Sequence, residues 1–193
     1  MYKTICITNR QLFNKYHINH SDDDYLELIR RIVSARLVSA LILREKDLSD
    51  EDYLRLAEKV IPICESHGIQ CILHNCVSAA VKLRHKAIHL PMPVLQSLTA
   101  EQRQFFTILG ASCHSVDEAR EAVSLGCTYI TASHIFPTEC KADLAPRGLD
   151  FLSEVCRKVD IPVYALGGIH PQNAAAAIAA GAAGVCMMSE FMK

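Results

Sequence analysis

Short apolar runs alternate with longer amphipathic segments along the whole chain. The apolar runs are rich in β-branched residues and are bounded by polar or turn-forming residues, which is typical of buried strands. They predict eight strands, over residues 5–8, 37–43, 70–73, 87–90, 105–111, 127–132, 161–166 and 184–188.

The segments between these runs carry apolar residues at helical spacing, which predicts crossover helices. Ser49 is placed to cap one of them, and Ser115 with Glu118 matches a capping box at the start of another. Pro171 fits a helix start, and Gly181 fits a helix end. The predicted helices cover residues 22–35, 49–65, 77–83, 93–103, 115–125, 149–158 and 171–180.

Strict alternation of strands and helices predicts a parallel sheet. Eight units favour a compact (β/α)8 TIM barrel, with a doubly wound sheet as the competing architecture. We expect residues 1–193 to form a single domain. The chain stops soon after the last predicted strand, so the closing helix is expected to be reduced to residues 190–193 or missing. The apolar surface left uncovered would favour a homodimer.

Composition narrows the function classes. The 193 residues are 50% hydrophobic and 21% charged, with a net charge of -1, which disfavours a nucleic-acid partner. The amino-terminal residues do not form a signal peptide, and no apolar run is long enough to span a membrane, so a cytoplasmic protein is expected. The nine cysteines include no C-x-x-C pair, and we interpret them as mostly buried free thiols.

Several predicted strand ends carry polar residues, which a barrel would bring to one face. Gly167 and Gly168 follow the seventh strand, and Ser189 follows the eighth. Glycines let backbone amides approach an anion, so this pair predicts a phosphate site, although tight turns also use Gly-Gly. Arg44 and Lys46 flank a glutamate after the second strand. They fit either anion recognition or an ion pair in a solvated loop.

Histidine is the side chain best suited to proton transfer near neutral pH. His134 ends the sixth strand, with Thr138 and Lys141 in the same loop. This placement favours a catalytic role over a structural one, whereas His114 fits equally well in a helix cap. Two further histidines could line the same face, but no acidic residue completes a convincing metal set. These are His74 and His89.

With these motifs in place, the chain resembles the thiamine phosphate synthase/TenI superfamily along nearly its full length. The resemblance implies a TIM barrel that binds a thiazole phosphate. The matching segments are ILREK (42–46), ILHN (72–75), AIHLP (87–91), SCHSVDEA (112–119), SHIFPTECKADLAPRGLDFL (133–152), IPVYALGGIHPQNA (161–174) and AAGVCMMS (182–189).

Within that superfamily, synthases join hydroxymethylpyrimidine diphosphate to thiazole phosphate and use aspartates after the third and fourth strands to hold Mg²⁺. Here Cys76 follows Asn75, and Pro91 follows the fourth strand, so those aspartates are absent. TenI-type thiazole tautomerases also lack them, and carry a histidine where His134 stands. The resemblance is therefore closest to the tautomerases.

This likeness implies an isomerase that aromatises a 2-carboxythiazole phosphate tautomer with His134 as acid and base, without a metal or cofactor. Gly167, Gly168 and Ser189 would hold the phosphate, and Arg44 and Lys46 would face the substrate. Weaker pocket candidates are Asn75, His114, Thr138 and Lys141. The alternatives are a Mg²⁺-dependent thiamine phosphate synthase and a non-catalytic regulator that binds a phosphate ligand.

Overall fold

Parallel strands form a closed barrel in the computed structural model of the protein, which describes residues 2–17, 21–138 and 144–193. Each strand pairs with the next along the chain, and the last pairs with the first. The predicted (β/α)8 barrel is therefore confirmed over the competing doubly wound sheet. The strands are β1 (Lys3–Ile7), β2 (Ala40–Leu43), β3 (Gln70–His74), β4 (Ala87–Pro91), β5 (Ile108–Cys113), β6 (Tyr129–Ser133), β7 (Val163–Leu166) and β8 (Gly184–Met187).

Helices connect these strands within the described residues. Those before β5 are α1 (Arg10–Tyr16), α2 (Asp22–Ser34), α3 (Asp50–Ser66), α4 (Val77–Lys82), α5 (Met92–Ser97) and α6 (Ala100–Gln104). Those after β5 are α7 (Val116–Ser124), α8 (Gly148–Lys158), α9 (Pro171–Ala179) and α10 (Ser189–Met192). The last of them, α10, spans four residues. None of the described helices is long and apolar enough to cross a membrane.

The structure differs from the predicted elements in several places. The helix predicted over residues 93–103 is two helices, because Thr99 caps α6: its hydroxyl accepts the Gln102 N–H at 3.2 Å. The strand predicted to begin at residue 105 begins at Ile108, since Phe105 ends α6. The helix α1 was not predicted, because the structure buries only one of its side chains and it lacks a clear apolar stripe.

The capping box predicted at α7 forms only in part. The Ser115 hydroxyl accepts the Glu118 N–H at 3.0 Å, as predicted. The Glu118 carboxylate instead accepts the His114 N–H at 2.5 Å, one residue before the expected partner. His114 therefore belongs to the start of this helix, which was one of the two interpretations of its sequence position.

Buried cysteines contribute to the packing between the barrel and its helices. All eight cysteines among the described residues are free thiols, and six of them are buried. Burial raises the pKa of the Cys113 thiol to about 12, so this group stays protonated at neutral pH. The interpretation of the cysteines as small apolar side chains is confirmed for this part of the chain.

Alternating strand residues fill the barrel interior. An inner cluster includes Ile5, Ile42, Ile72 and Tyr129. Gly110 leaves the space that the Tyr129 ring occupies, because a Cβ atom at Gly110 would lie 2.2 Å from Tyr129 Cζ. This packing brings the tyrosine hydroxyl to His89 at 3.0 Å, just beneath the upper rim of the barrel.

We expect Gly110→Ala to lower the free energy of unfolding by about 1–3 kcal/mol, because the added methyl group overpacks the barrel interior. Urea denaturation would measure the change. The double variant Gly110→Ala/Tyr129→Leu should lose less than the sum of the two single variants, since the smaller side chain removes the clash. Additive losses would contradict this account of the interior.

Candidate active site

A cavity opens at the carboxyl ends of the strands, where TIM barrels carry their active sites. Residues from most of the strands and from the segments that follow them line it. They are Ile7, Ile42, Arg44, His74, His89, Ser112, Ser133, His134, Thr138, Leu166, Gly167, Gly168, Ile169, Cys186, Met187, Met188 and Ser189.

A buried carboxylate anchors the segment after β2. Glu45 accepts hydrogen bonds from the Thr8 and Tyr25 hydroxyls, each at 2.5 Å, and from the Arg10 backbone N–H at 2.6 Å. Thr8 Oγ1 in turn accepts the Arg44 N–H at 2.9 Å. These bonds connect the backbone of Arg44 to β1 and α2, while its side chain lines the cavity.

Glu45 is a structural residue at the edge of the site. Burial raises the pKa of its carboxyl group, and the hydrogen bonds from Thr8, Tyr25 and Arg10 oppose that rise. Its described hydrogen-bond donors are two hydroxyls and one backbone amide. From the sequence, Arg44 and Lys46 fitted either anion recognition or an ion pair in a solvated loop. Neither interpretation included a buried glutamate, because a glutamate between two cations is usually solvated.

Two neutral histidines form part of the cavity floor. The His74 and His89 rings are stacked with centroids 6.0 Å apart. His89 Nδ1 contacts the Tyr129 hydroxyl at 3.0 Å, and His89 Nε2 contacts the Ser112 hydroxyl at 2.8 Å. Burial lowers the pKa of His89 to about 3. Burial, His89 and the cations Arg44 and Lys46 lower the pKa of His74 to about 3.

The segment after β6 forms a wall of the cavity. His134 is buried, and its Nε2 donates to the Leu144 carbonyl oxygen at 3.2 Å. His114 Nδ1 donates to the Ser133 carbonyl oxygen at 3.0 Å. A second cavity lies on the other side of His134 and is lined by His114, His134 and residues 144–147. His134 therefore lines both cavities.

The glycine pair follows β7 in a left-handed conformation. Gly167 has φ of 96° and Gly168 has φ of 66°. A Cβ atom at Gly167 would lie 2.3 Å from His134 Cβ, and one at Gly168 would lie 2.4 Å from the Pro137 carbonyl oxygen. Both positions therefore need glycine for conformation and for space. The turn faces the cavity beside Ser189, the first residue of α10.

The structure brings six of the predicted site residues together around the cavity. They are Arg44, His134, Thr138, Gly167, Gly168 and Ser189. His114 lies at the second cavity. Lys46 and Asn75 are exposed and lie outside the cavity lining, and Asn75 occupies a left-handed turn at φ of 64°. Lys141 lies outside the described residues.

Sequence reasoning did not single out Ser112, which contributes to the cavity through its bond to His89. The available signal was weak, because a single serine in the apolar run of β5 is compatible with many barrel positions. The roles of Thr8 and Glu45 were also missed, since they depend on contacts between residues 37 positions apart.

Comparison with known proteins shows the family. The family described as thiamine monophosphate synthase matches residues 6–191. The chain belongs to this family. It is 34% identical over 167 residues to the thiamine-phosphate synthase of Roseiflexus sp. strain RS-1, covering 82% of this chain and 69% of that protein. It is 34% identical over 170 residues to the thiamine-phosphate synthase of Moorella thermoacetica, covering 85% of this chain and 79% of that protein.

The fold has a close match among solved structures of the same family. The thiamine phosphate pyrophosphorylase from Pyrococcus furiosus superimposes with a TM-score of 0.81 at 25% identity, covering 99% of this chain and 87% of that one. These relatives associate the family with thiamine biosynthesis and with small phosphate substrates.

The prediction of a tautomerase, and with it of an isomerase, was wrong. The relatives are named thiamine-phosphate synthase, and the matching structure is a pyrophosphorylase, so the comparisons favour a transferase. The prediction gave too much weight to His134 and to two short strand-end motifs. In the structure, the Nε2 of this histidine is engaged with the Leu144 carbonyl oxygen in the cavity wall.

The resemblance to synthases implies Mg²⁺, which prefers oxygen ligands such as carboxylates. Among the residues that the structure describes, no group of three or more His, Cys, Asp or Glu side chains could hold a metal ion. The cavity lining contains neither Asp nor Glu, and Glu45 is already engaged by three donors. These residues do not fit a Mg²⁺ site, and no step of the reaction is assigned to the metal.

The low pKa of His89 predicts a loss of stability in acid. Its folded pKa is about 3, below the ordinary value of 6.5, so its contribution to stability is present above pH 6.5 and is lost as pH falls. The unfolding free energy of the unmodified protein should fall as pH is lowered from about 6.5 to 5. We expect the fall in His89→Asn to be smaller by about 1–2 kcal/mol.

Urea denaturation at several pH values would measure this difference. His67→Asn is the matched control, because His67 is exposed at the carboxyl end of α3. Equal pH slopes for His89→Asn and the unmodified protein would show that His89 does not resist protonation in the folded state.

Proposed function

We propose that this protein is a thiamine-phosphate synthase, a transferase that joins hydroxymethylpyrimidine diphosphate to thiazole phosphate. The observation that carries the proposal is that a left-handed glycine turn and an arginine, each following a different strand, line one cavity. The Gly167–Gly168 turn lies after β7, and Arg44 lies after β2. A reaction between one substrate that carries a phosphate and another that carries a diphosphate requires a binding element for each of these anionic groups.

The first element suits a phosphate monoester. A left-handed glycine turn lets backbone N–H groups approach an anion closely. Ser189 adds a hydroxyl at the start of α10. This helix follows β8, the strand that pairs with β7. This arrangement corresponds to the phosphate site that many TIM barrels place after their seventh and eighth strands. We assign it to the phosphate group of the thiazole substrate.

The second element suits the diphosphate. Arg44 carries a permanent positive charge, and its planar guanidinium matches phosphate oxygens. The Thr8–Glu45 hydrogen bonds hold its backbone before any substrate arrives. Such a preorganised cation stabilises negative charge that develops on a leaving group.

The reaction forms a bond between the thiazole ring nitrogen and the methylene carbon of the pyrimidine. The bond from that carbon to the diphosphate oxygen breaks, and its electron pair leaves with the diphosphate. Because the thiazole becomes a cation and the diphosphate gains negative charge, the reaction needs no net proton transfer. The main task of the site is therefore to orient two substrates and to stabilise the leaving group.

Neutral side chains fit this task. His74 and His89 stay uncharged at neutral pH, and Ile7, Ile42 and Leu166 cover other parts of the cavity. A largely apolar, uncharged floor excludes water, which would otherwise compete with the thiazole nitrogen for the reactive methylene carbon.

The direct test is an assay for thiamine phosphate and pyrophosphate, with both substrates supplied, in the presence and in the absence of Mg²⁺. We expect formation of both products in equal amounts. We expect Arg44→Gln to lower kcat/KM by about 10- to 100-fold, since a hydrogen bond to a charged group contributes about 1.5–3 kcal/mol. Arg55→Gln is the control, because Arg55 lies on the exposed face of α3 and should leave kcat/KM unchanged.

Unchanged kcat/KM in Arg44→Gln would remove this residue from the reaction. If the unmodified protein binds thiazole phosphate but forms no product from the substrate pair, the synthase proposal fails. That result would favour the non-catalytic phosphate-binding protein. A homodimer and a cytoplasmic location remain predictions from the sequence.

The glycine turn has a closely matched control. Gly168 and Gly126 both have positive φ. A Cβ atom at Gly168 would clash with the Pro137 carbonyl oxygen, whereas one at Gly126 would have no neighbour within 4 Å. We expect Gly168→Ala to weaken thiazole phosphate binding by at least about 10-fold, because the turn must move to avoid the clash. Gly126→Ala should retain the original affinity. Calorimetric titration of both variants would measure this, and equal affinities would argue against a phosphate site at this turn.

A further inference from the structure

His74 differs from the other histidines of the site in its hydrogen bonding. Its side chain is buried, with 9% of the residue exposed, and it lines the cavity. Among the described residues, no group forms a hydrogen bond with its ring nitrogens. By contrast, both ring nitrogens of His89 are used by Tyr129 and Ser112, and His134 donates to Leu144.

The position of His74 is nevertheless well determined. The Tyr53 hydroxyl accepts the His74 backbone N–H at 2.8 Å and donates to the Leu43 carbonyl oxygen at 2.6 Å. This buried hydroxyl therefore ties the end of β3 to the end of β2. The His74 ring is stacked against His89, with an angle of 21° between the planes. The backbone of His74 is therefore held by Tyr53, and its imidazole lies against His89 and lines the cavity.

A hydrogen-bonding group that lines a cavity and has no protein partner bonds to water or to a ligand. When the group lines a cavity and its backbone is held in place, a ligand atom is the natural partner. A neutral imidazole offers one N–H donor and one nitrogen acceptor. It therefore suits an uncharged polar group rather than a phosphate.

The barrel topology indicates which substrate His74 meets. β3 lies four strands from β7 in either direction around the closed barrel, so His74 is opposite the Gly167–Gly168 turn. It is next to β2, which leads to Arg44. A molecule whose diphosphate lies at Arg44 would place its ring over the floor near His74, away from the thiazole phosphate.

We propose that His74 determines specificity for the pyrimidine substrate by donating its ring N–H to a nitrogen of the pyrimidine ring. This assignment rests on the proposed synthase function and adds a residue to it. A pyrimidine nitrogen is an uncharged acceptor, and the paired apolar residues Ile7 and Ile42 offer a surface for the face of its ring.

Binding measurements can test this role separately from turnover. The probes are hydroxymethylpyrimidine diphosphate, which carries the ring, and inorganic pyrophosphate, which lacks it. We expect His74→Phe to bind the pyrimidine diphosphate about 10-fold more weakly, as the loss of one hydrogen bond implies, and to bind pyrophosphate within about 2-fold of the original affinity. His74→Gln retains an N–H donor and should recover most of the affinity for the ring. His67→Phe is the surface control.

Unchanged affinity of His74→Phe for the pyrimidine diphosphate would overturn the assignment. An equal loss for both probes, with no recovery in His74→Gln, would also overturn it, because His74 would then only support the shape of the cavity. A failure of the synthase proposal is distinguishable from these outcomes. In that case the unmodified protein binds the pyrimidine diphosphate more tightly than pyrophosphate, in a manner that depends on His74, but forms no thiamine phosphate.

Discussion

Closure of the parallel sheet between β1 and β8 is the constraint on which the rest of the structure depends. Parallel pairing directs the carboxyl end of every strand to the same rim, and closure arranges those ends around a single opening. Arg44, His74 and Gly167, which are far apart in the chain, therefore line one cavity. Without closure, an open sheet would separate the segment after β2 from the segment after β7.

Buried polar groups stabilise this rim from below. Glu45 connects the segments after β1 and β2 with α2. Tyr53 connects β2 with β3, and His89 connects β4 with β5 and β6. Each is a buried polar group whose bonds offset the cost of burial, and each spans different elements of the fold. Such a rim is preorganised, as the proposed synthase reaction would require.

The site is notable for its distribution of charge. Its described lining contains Arg44 but no carboxylate, and its floor histidines are neutral. An anionic ligand is favoured by such a surface, whereas a cationic ring gains no stabilisation from it. Under the proposed synthase function, the site would therefore attract both phosphate substrates and would bind the cationic ring of the product weakly.

The pattern of apolar and polar residues was sufficient to predict the barrel, the strand order and most helices, because period and alternation are local properties of the chain. It also predicted Gly167, Gly168, Ser189, Arg44, Thr138 and His134 at the cavity, since their positions at strand ends determine the face they occupy. The reaction class was not recovered from short motifs, because the His134 motif is compatible with more than one chemistry.

Only the tertiary structure decided the remaining features. The burial of Glu45, the engagement of His89 by Tyr129 and Ser112, and the position of the His74 ring at the cavity each depend on contacts between distant segments. Local sequence determines which residues reach a strand end and which face they occupy. Whether a polar side chain there is satisfied by the protein or left for a ligand depends on which neighbours the closed barrel brings within about 3 Å of it.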